Sequence, residues 1–305
     1  MLPFALTDIP SQPNSVLVDT IKRTSISGVQ FKVAMRLTED AQLQLTTEPG
    51  QLEYILKPPP RSLDIREPQA VPANEHLTML LARQVFKLRV AENALLQFTD
   101  GSMAYLTRRF DVWPDHRLHQ EDFAQVANRS QFTHGENFKY EFSYEEIAQL
   151  IQRFITLVPV ALDELFRQVM FSYLVSNGDA HLKNFSLHYL PNGDYTLTPA
   201  YDILCTALHV NDGNNLALDL FADEYATASF EANGFLAYDD FFEFGQRIGL
   251  SRARVRNLLK DIVEHEDQIT TLVQRSFLSP ELQQRYLAAV TSRRSRLRYS
   301  MTGLV

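Results

Sequence analysis

SNGDAHLKN, residues 176–184, decides how the rest of the chain is read. It places an acid, a histidine, a lysine and two asparagines within nine residues, and the apolar–polar alternation FSLHYL (185–190) follows at once. Upstream, Leu162, Leu165, Phe166, Val169, Met170 and Tyr173 recur at helical spacing and run directly into it. Downstream, PNG (191–193) separates FSLHYL from DYTLTP (194–199), and Asn192-Gly193 predicts a type I′ hairpin turn. The stretch is therefore expected to be a loop between a buried helix and a two-stranded ribbon. Such a loop can hold polar side chains rigidly at the edge of a cleft.

Outward from this loop the texture changes near residue 110. Before it, short β-like runs dominate: LVDT (17–20), QFKVAMRL (30–37), LEYILK (52–57) and SMAYLTRRF (102–110). One helix, NEHLTMLLARQVFKL (74–88), interrupts them, with Pro72 just before its start. After residue 110 helices take over. Ser143 and Glu146 form a capping box for a helix burying Ile147, Leu150, Ile151, Phe154 and Val158, Pro159 then breaks the chain, and Ser279-Pro280-Glu281 opens a late helix. The expectation is an α+β fold in two parts, a small sheet with one helix over residues 1–110 and a mainly helical part over 111–305.

Composition narrows the function classes. The 305 residues are 45% hydrophobic and 22% charged, ordinary for a globular chain with a large core. A net charge of -8 argues against wholesale attraction to nucleic acid or to an anionic membrane. A single cysteine, Cys205, excludes an internal disulfide and a cysteine-based zinc site. The N-terminus MLPFALTDIP lacks a basic region followed by a long apolar one, and a cytoplasmic protein with no membrane partner is expected. Arg293, Arg294, Arg296 and Arg298 cluster at the end of the last helix, where cations favour the helix dipole or could meet nucleic acid.

The chemistry lies in spacing. Asp179 and Asn184 are five apart, the separation at which phosphotransferases of the protein-kinase type hold a catalytic Asp and a Mg²⁺-binding Asn. Taken alone, such a pair is more often a turn cap. Asp202 adds a second carboxylate eighteen residues beyond Asn184, and hard Mg²⁺ accepts amide, carboxylate and phosphate oxygens. Lys57 ends the apolar strand Tyr54-Ile55-Leu56, from which it could neutralise ATP phosphates, and Glu75, expected on the first turn of the next helix, could orient it. The small residues from Thr24 to Gln30 could cover phosphates with backbone N–H groups and hydroxyls. His181 reads as a residue orienting the loop rather than transferring protons; Lys183 either approaches the transferred phosphate or is merely solvated.

Taken in order, SISGVQFKVAM, YILKP, NEHLTMLLA, LTRRFD, HQEDFAQ, SNGDAHLKNFS and LTPAYDIL resemble the HipA-like serine/threonine kinases of bacterial toxin–antitoxin systems. The resemblance implies a bilobed protein-kinase-like fold binding ATP and Mg²⁺. It implies Asp179 as catalytic base, with Lys183 and His181 beside it, Asn184 and Asp202 as Mg²⁺ ligands, Lys57 and Glu75 as the phosphate-binding pair, Ser25, Ser27, Gly28, Val29 and Gln30 as phosphate loop, and Thr107, Arg108 and Phe110 as the adenine hinge. Longer HipA proteins carry a further N-terminal subdomain ahead of that loop. Its lack here resembles the short HipT branch, which implies a small HipS-like protein and a DNA-binding HipB-like protein as partners, with DNA contacted only through the latter. Ser25 and Ser27 resemble autophosphorylation sites. The implied substrate is a serine of an aminoacyl-tRNA synthetase, tryptophanyl-tRNA synthetase by nearest resemblance. A small-molecule phosphotransferase of the aminoglycoside-kinase kind would share the acid, the amide and the metal carboxylate, but not the SISGVQ, LKP or QEDF segments; a non-catalytic binding module would have no need of Asp179, Asn184, Asp202 and Lys57 together.

Overall fold

In a computed structural model, which describes residues 2, 31–62, 64–113, 115–211 and 216–303, the β-like runs of the first third become strands. The LVDT run lies outside the described residues. The strands are β1 (Val33–Leu37), β2 (Leu43–Leu45), β3 (Tyr54–Lys57), β4 (Asn93–Gln97) and β5 (Met103–Arg108). They form one antiparallel sheet in the order β2-β1-β3-β5-β4. Side chains alternate faces along each strand. Val33, Met35, Leu56, Ala104 and Leu106 point to one face and make a small core of their own with Leu2 and Phe98. Lys57 and its register partner Tyr105 point to the other.

That second face is covered by α1 (Val71–Gln84), whose Leu77, Leu81 and Ala82 enter the main core. The helix starts earlier than its apolar spacing suggests. Pro72 sits inside the first turn, where its missing N–H leaves nothing unpaired, so Glu75 falls beyond the first turn rather than on it. Lys87 takes a left-handed φ of 53° and leads the chain away. β2 and β4 were not expected, the first because LQL is too short to read and the second because NALLQ lacks alternation.

The ribbon after the central loop has three strands: β6 (His119–Asp122), β7 (Ser186–Tyr189) and β8 (Tyr195–Leu197), in that order. The third strand comes from the HQED segment, pairing Asp122 with Ser186 and His119 with Tyr189. The β7–β8 turn is not type I′. Only Gly193 has positive φ (89°), whereas type I′ needs it at Asn192 as well. Pro191 fixes the preceding residue of the turn near φ of about -65°, which favours a type I geometry with glycine after it, and the Gly193 N–H donates to the Leu190 carbonyl at 2.9 Å.

The helical remainder comprises α2 (Phe123–Val126), α3 (Gln131–His134), α4 (Tyr144–Phe154), α5 (Val158–Leu174), α6 (Ala228–Asn233), α7 (Tyr238–Arg247), α8 (Arg252–Val263), α9 (Glu266–Gln274) and α10 (Pro280–Leu297). Ser143 caps α4 as its capping box requires, its hydroxyl accepting from the Glu146 N–H at 3.1 Å while Glu146 accepts from the Ser143 N–H at 2.8 Å. Val158 opens α5 instead of closing α4, with Pro159 again in a first turn. One continuous core runs from α1 to α10, with Phe166 of α5 stacked on Phe244 of α7 at 5.8 Å. Among the described residues no helix is long and apolar enough to cross a membrane.

Gly245 of α7 shows how closely that core is packed. A Cβ there would lie 2.5 Å from Val255 and 3.0 Å from Phe166, both buried. Alanine would gain the helix interior about 1 kcal/mol, but a contact of 2.5 Å belongs at the upper end, about 2–3 kcal/mol, of what overpacking a rigid core costs. Gly245→Ala is expected to lower the unfolding free energy by about 1–2 kcal/mol, read as an earlier midpoint in urea unfolding; an unchanged or later midpoint would show that α7 and α8 can separate to admit a methyl.

Candidate functional site

At the end of β3, Lys57 is buried and its Nζ donates to Glu75 Oε1 at 2.6 Å and to Asp202 Oδ1 at 2.6 Å. Lys32 Nζ lies 3.6 Å from Asp202 Oδ2, and the Tyr105 ring lies beneath Lys57 with its centroid 5.4 Å from Nζ. Two ammonium groups and two carboxylates thus share one buried cluster. Burial alone would raise the Asp202 carboxyl, but Lys57 and Lys32 hold it well below the usual carboxylate range. Burial would likewise lower Lys57, and the two carboxylates keep it above its ordinary value. Glu75 is pushed up to about 7 by burial, with Lys57 opposing and Asp202 adding to the shift.

Helix α1 is bound to the segment that carries Asp202. Asn74, fully buried beside Glu75, donates from Nδ2 to the Cys205 carbonyl at 2.9 Å and accepts from the Cys205 N–H at 3.1 Å. The same Nδ2 lies 2.9 Å from His209 Nε2, and His209 Nδ1 lies 2.8 Å from the Arg66 carbonyl. A carbonyl can only accept, so Nδ1 carries the proton and Nε2 receives the Asn74 bond.

The central loop lies, as expected, between α5 and β7. Its backbone folds on itself: the His181 N–H meets Asn184 Oδ1 at 3.1 Å, and the Asn184 N–H donates to the His181 carbonyl at 2.9 Å. The Gly178 N–H donates to Thr206 Oγ1 at 2.8 Å, tying the loop to the stretch after Asp202. His181 is sealed from solvent, with Nε2 3.7 Å from Asp179 Oδ1; burial takes it down to about 4, with Asp179 opposing. Lys183 is neither free nor simply solvated, because its Nζ pairs with Asp122 Oδ2 at 2.5 Å. Asp122 in turn caps α2 by accepting from the Gln125 N–H.

Thr107 and Arg108 end β5. The Arg108 N–H donates to the Glu92 carbonyl and the Arg109 N–H to Glu53, while the exposed Arg108 side chain pairs with Glu92. The Phe110 ring packs against His188 and Tyr201, each at 5.4 Å. Ser25, Ser27, Gly28, Val29 and Gln30 lie outside the described residues. Sequence reading missed Lys32, Asn74, Asp122 and Tyr140, whose hydroxyl donates to Asp179 Oδ1 at 2.6 Å.

The donor set suits a hard cation. Asn184 presents an amide oxygen and Asp202 a carboxylate held in its ionised form, both oxygen ligands of the type Mg²⁺ prefers. Among the described residues no group of three or more His, Cys, Asp or Glu side chains could hold a metal unaided, so remaining ligands would come from phosphate and water.

A model of the HipA-like C-terminal domain matches residues 24–269. The chain belongs to the HipA-like family. A provisionally assigned kinase of Haemophilus influenzae is 31% identical to this HipA-like chain over 270 residues, 83% of the chain and 76% of that protein. Another, from Sinorhizobium fredii, is 28% identical over 269 residues; the chain spans 60% of its length. The HipA of Shewanella oneidensis MR-1, solved with HipB and its operator DNA, superposes with a TM-score of 0.70 at 22% identity, covering 98% of this chain and 70% of that one. The proinflammatory kinase CtkA of Helicobacter pylori gives 0.53 at 14% identity, over 83% and 90%. The fold, a mixed α/β structure of antiparallel sheets and helices, is thus shared with HipA and CtkA.

The His209 geometry carries a pH dependence. Burial lowers His209 below its ordinary 6.5, with the nearby Arg285 and Arg66 cations adding to the effect and the Arg66 carbonyl opposing. A histidine held neutral contributes stability that is complete above its unfolded value and is lost as pH falls toward its lower folded one. Unfolding free energy is expected to fall as pH drops through the ordinary histidine value of about 6.5, and less steeply in His209→Gln, which can still accept from Asn74. Equal slopes in urea titrations of the two proteins would exclude His209 as a source of the loss.

Proposed function

We propose that this HipA-like chain is an ATP- and Mg²⁺-dependent serine/threonine protein kinase, acting as the toxin of a toxin–antitoxin system. The observation that supports it best is the buried Lys57 held between Glu75 and Asp202, with Asp179 and Asn184 on a loop tied to the same segment. This is the pairing of a phosphate-binding lysine, its orienting acid and a metal carboxylate that phosphoryl transfer uses. In this reading ATP would bind between residues 1–110, with the sheet, and the mainly helical residues 111–305.

In this reading Lys57 neutralises the nucleotide phosphates and Glu75 keeps it aimed at them. Asn184 and Asp202 would hold Mg²⁺, which would supply neutralisation of charge on the transferred group. Asp179 receives the proton of the acceptor hydroxyl as its oxygen bonds to the γ-phosphorus and the bond from that phosphorus to the β–γ bridging oxygen breaks, leaving ADP. The acceptor is read as a serine of an aminoacyl-tRNA synthetase, tryptophanyl-tRNA synthetase first. Ser25 and Ser27 are read as sites of autophosphorylation, where added charge would repel ATP phosphates. A HipB-like DNA-binding protein and a small HipS-like protein are the proposed partners, the former in line with the HipB complex of the Shewanella HipA.

Incubation with Mg²⁺ and γ-labelled ATP, alone and with purified synthetases, tests this. Label on a synthetase serine and on Ser25 or Ser27 is expected, and Asp179→Asn is expected to reduce the rate about 10²- to 10⁴-fold. Transfer to sugars but to no protein would replace the reading with a small-molecule phosphotransferase.

A further inference from the structure

The segment just ahead of α4 is fastened to the central loop at three points. The Leu182 N–H donates to the Lys139 carbonyl at 3.1 Å, the Tyr144 hydroxyl donates to the Ala180 carbonyl at 2.8 Å, and the Tyr140 hydroxyl donates to Asp179 Oδ1 at 2.6 Å. One of these contacts fixes the Asp179 carboxylate itself, and the other two fix the backbone that follows it, at Ala180 and Leu182. The Tyr140 ring also meets the buried His181 ring edge-on at 5.2 Å, and Lys139 Nζ lies 4.8 Å from the Tyr140 centroid. The phenol ring therefore packs on a buried imidazole and has a cation over its face.

We propose that Tyr140 is a positioning residue for the base Asp179. Pinning Oδ1 removes rotation about the last bond of the Asp179 side chain, which fixes the direction of the other carboxylate oxygen toward an arriving hydroxyl. Because Tyr140 acts on the carboxylate and not on the nucleotide, its contribution belongs to turnover and not to ATP binding. The phenol keeps its proton throughout: burial raises it far above its ordinary value, and the adjacent carboxylate raises it further. It serves as a donor only, and no proton passes through it. The alternation of roles along this short segment, backbone carbonyl at Lys139, side-chain donor at Tyr140 and a second tyrosine donor at Tyr144, makes the start of α4 a splint for the loop.

This inference rests on the phosphotransfer reading, and the experiment separates the two. Total release and transfer of label from γ-labelled ATP with Mg²⁺, to water and protein together, is measured for the parent, Tyr140→Phe, Asp179→Asn and the double variant, below the melting transition of each. Tyr140→Phe removes one oxygen and leaves the ring contact in place. A hydrogen bond to a charged group of this kind is expected to give a loss of about 10- to 100-fold in kcat, with KM for ATP within about twofold. In the Asp179→Asn background the same change is expected to have almost no further effect, because the group it orients is gone. Unchanged kcat in Tyr140→Phe, a KM that rises in step with the loss, or the same loss in both backgrounds would overturn the assignment of Tyr140. A parent without turnover, or one matched by Asp179→Asn, would instead overturn the reading of Asp179 as base.

Discussion

A buried ammonium held by two carboxylates is the constraint around which this protein is arranged. Lys57 leaves the end of a strand, Glu75 comes from α1, and Asp202 comes from a segment 145 residues beyond Lys57. Any one of these charges would be costly to desolvate alone, and a buried pair that loses one partner costs about 3–5 kcal/mol. With Lys32 included, the cluster holds two positive and two negative groups, so the requirement for neutrality is met locally. Its consequence is geometric: strand, helix and Asp202 cannot drift apart without uncovering a charge. Asn74 adds a neutral lock, copying a strand-like pair of hydrogen bonds onto Cys205. Two independent buried contacts, one through Lys57 and one through Asn74, thus hold α1 to the segment that carries Asp202.

The helical part supports the loop in the same way, through side chains that reach its backbone. The arginine cluster near the C-terminus shows this. It is not a basic patch but four residues with four tasks. Arg293 is buried, bonding Ser176 Oγ at 3.2 Å and lying 4.5 Å over the Tyr173 ring, immediately before the loop. Arg294 pairs with Glu266 at 2.5 Å, Arg296 covers Phe235, and Arg298 donates to the Val263 carbonyl at 3.0 Å. The favourable placement of cations at a helix end is part of the explanation, but the partners are specific. The last helix therefore buttresses Ser176, the first residue of the central loop.

What could be read from the sequence was whatever repeats or sits close together. Capping boxes, apolar periodicity around α4 and α5, and the spacing of Asp179, Asn184 and Asp202 are local patterns, and the family resemblance rests on ordered local motifs. What escaped was polar residues whose partners are far along the chain. Asn74 meets Cys205 across 131 positions, Lys183 meets Asp122 across 61 and Tyr140 meets Asp179 across 39. Nothing in NEHL, QED or FKYE announces those partners. The turn at Pro191-Asn192-Gly193 failed for another reason: Asn-Gly suggested one geometry, and the proline before it imposed another. Likewise a proline read as a helix boundary proved to be a first-turn residue twice, at Pro72 and Pro159, because both roles satisfy the same missing N–H.

Asp202 carries the final piece of physical argument. Its φ of 59° is left-handed, a region that costs a residue with a side chain about 1 kcal/mol or more. Nothing about a connecting segment demands that conformation, since glycine would adopt it at no steric cost. An aspartate is kept there because the left-handed backbone aims its carboxylate back toward Lys57 and Lys32, and the ion pairs it makes outweigh the strain. Ser176, at the start of the central loop, is held at φ 54° in the same manner, with the loop's Asn177 N–H returned to the Ser172 carbonyl and Arg293 on its hydroxyl. Strain at both ends of one site, each offset by buried polar contacts, is what a fold tolerates where side-chain direction matters more than backbone comfort. Of the seven described non-glycine residues with a left-handed φ, Ser176 and Asp202 are the two that flank the contact by which the Gly178 N–H ties the loop to Thr206.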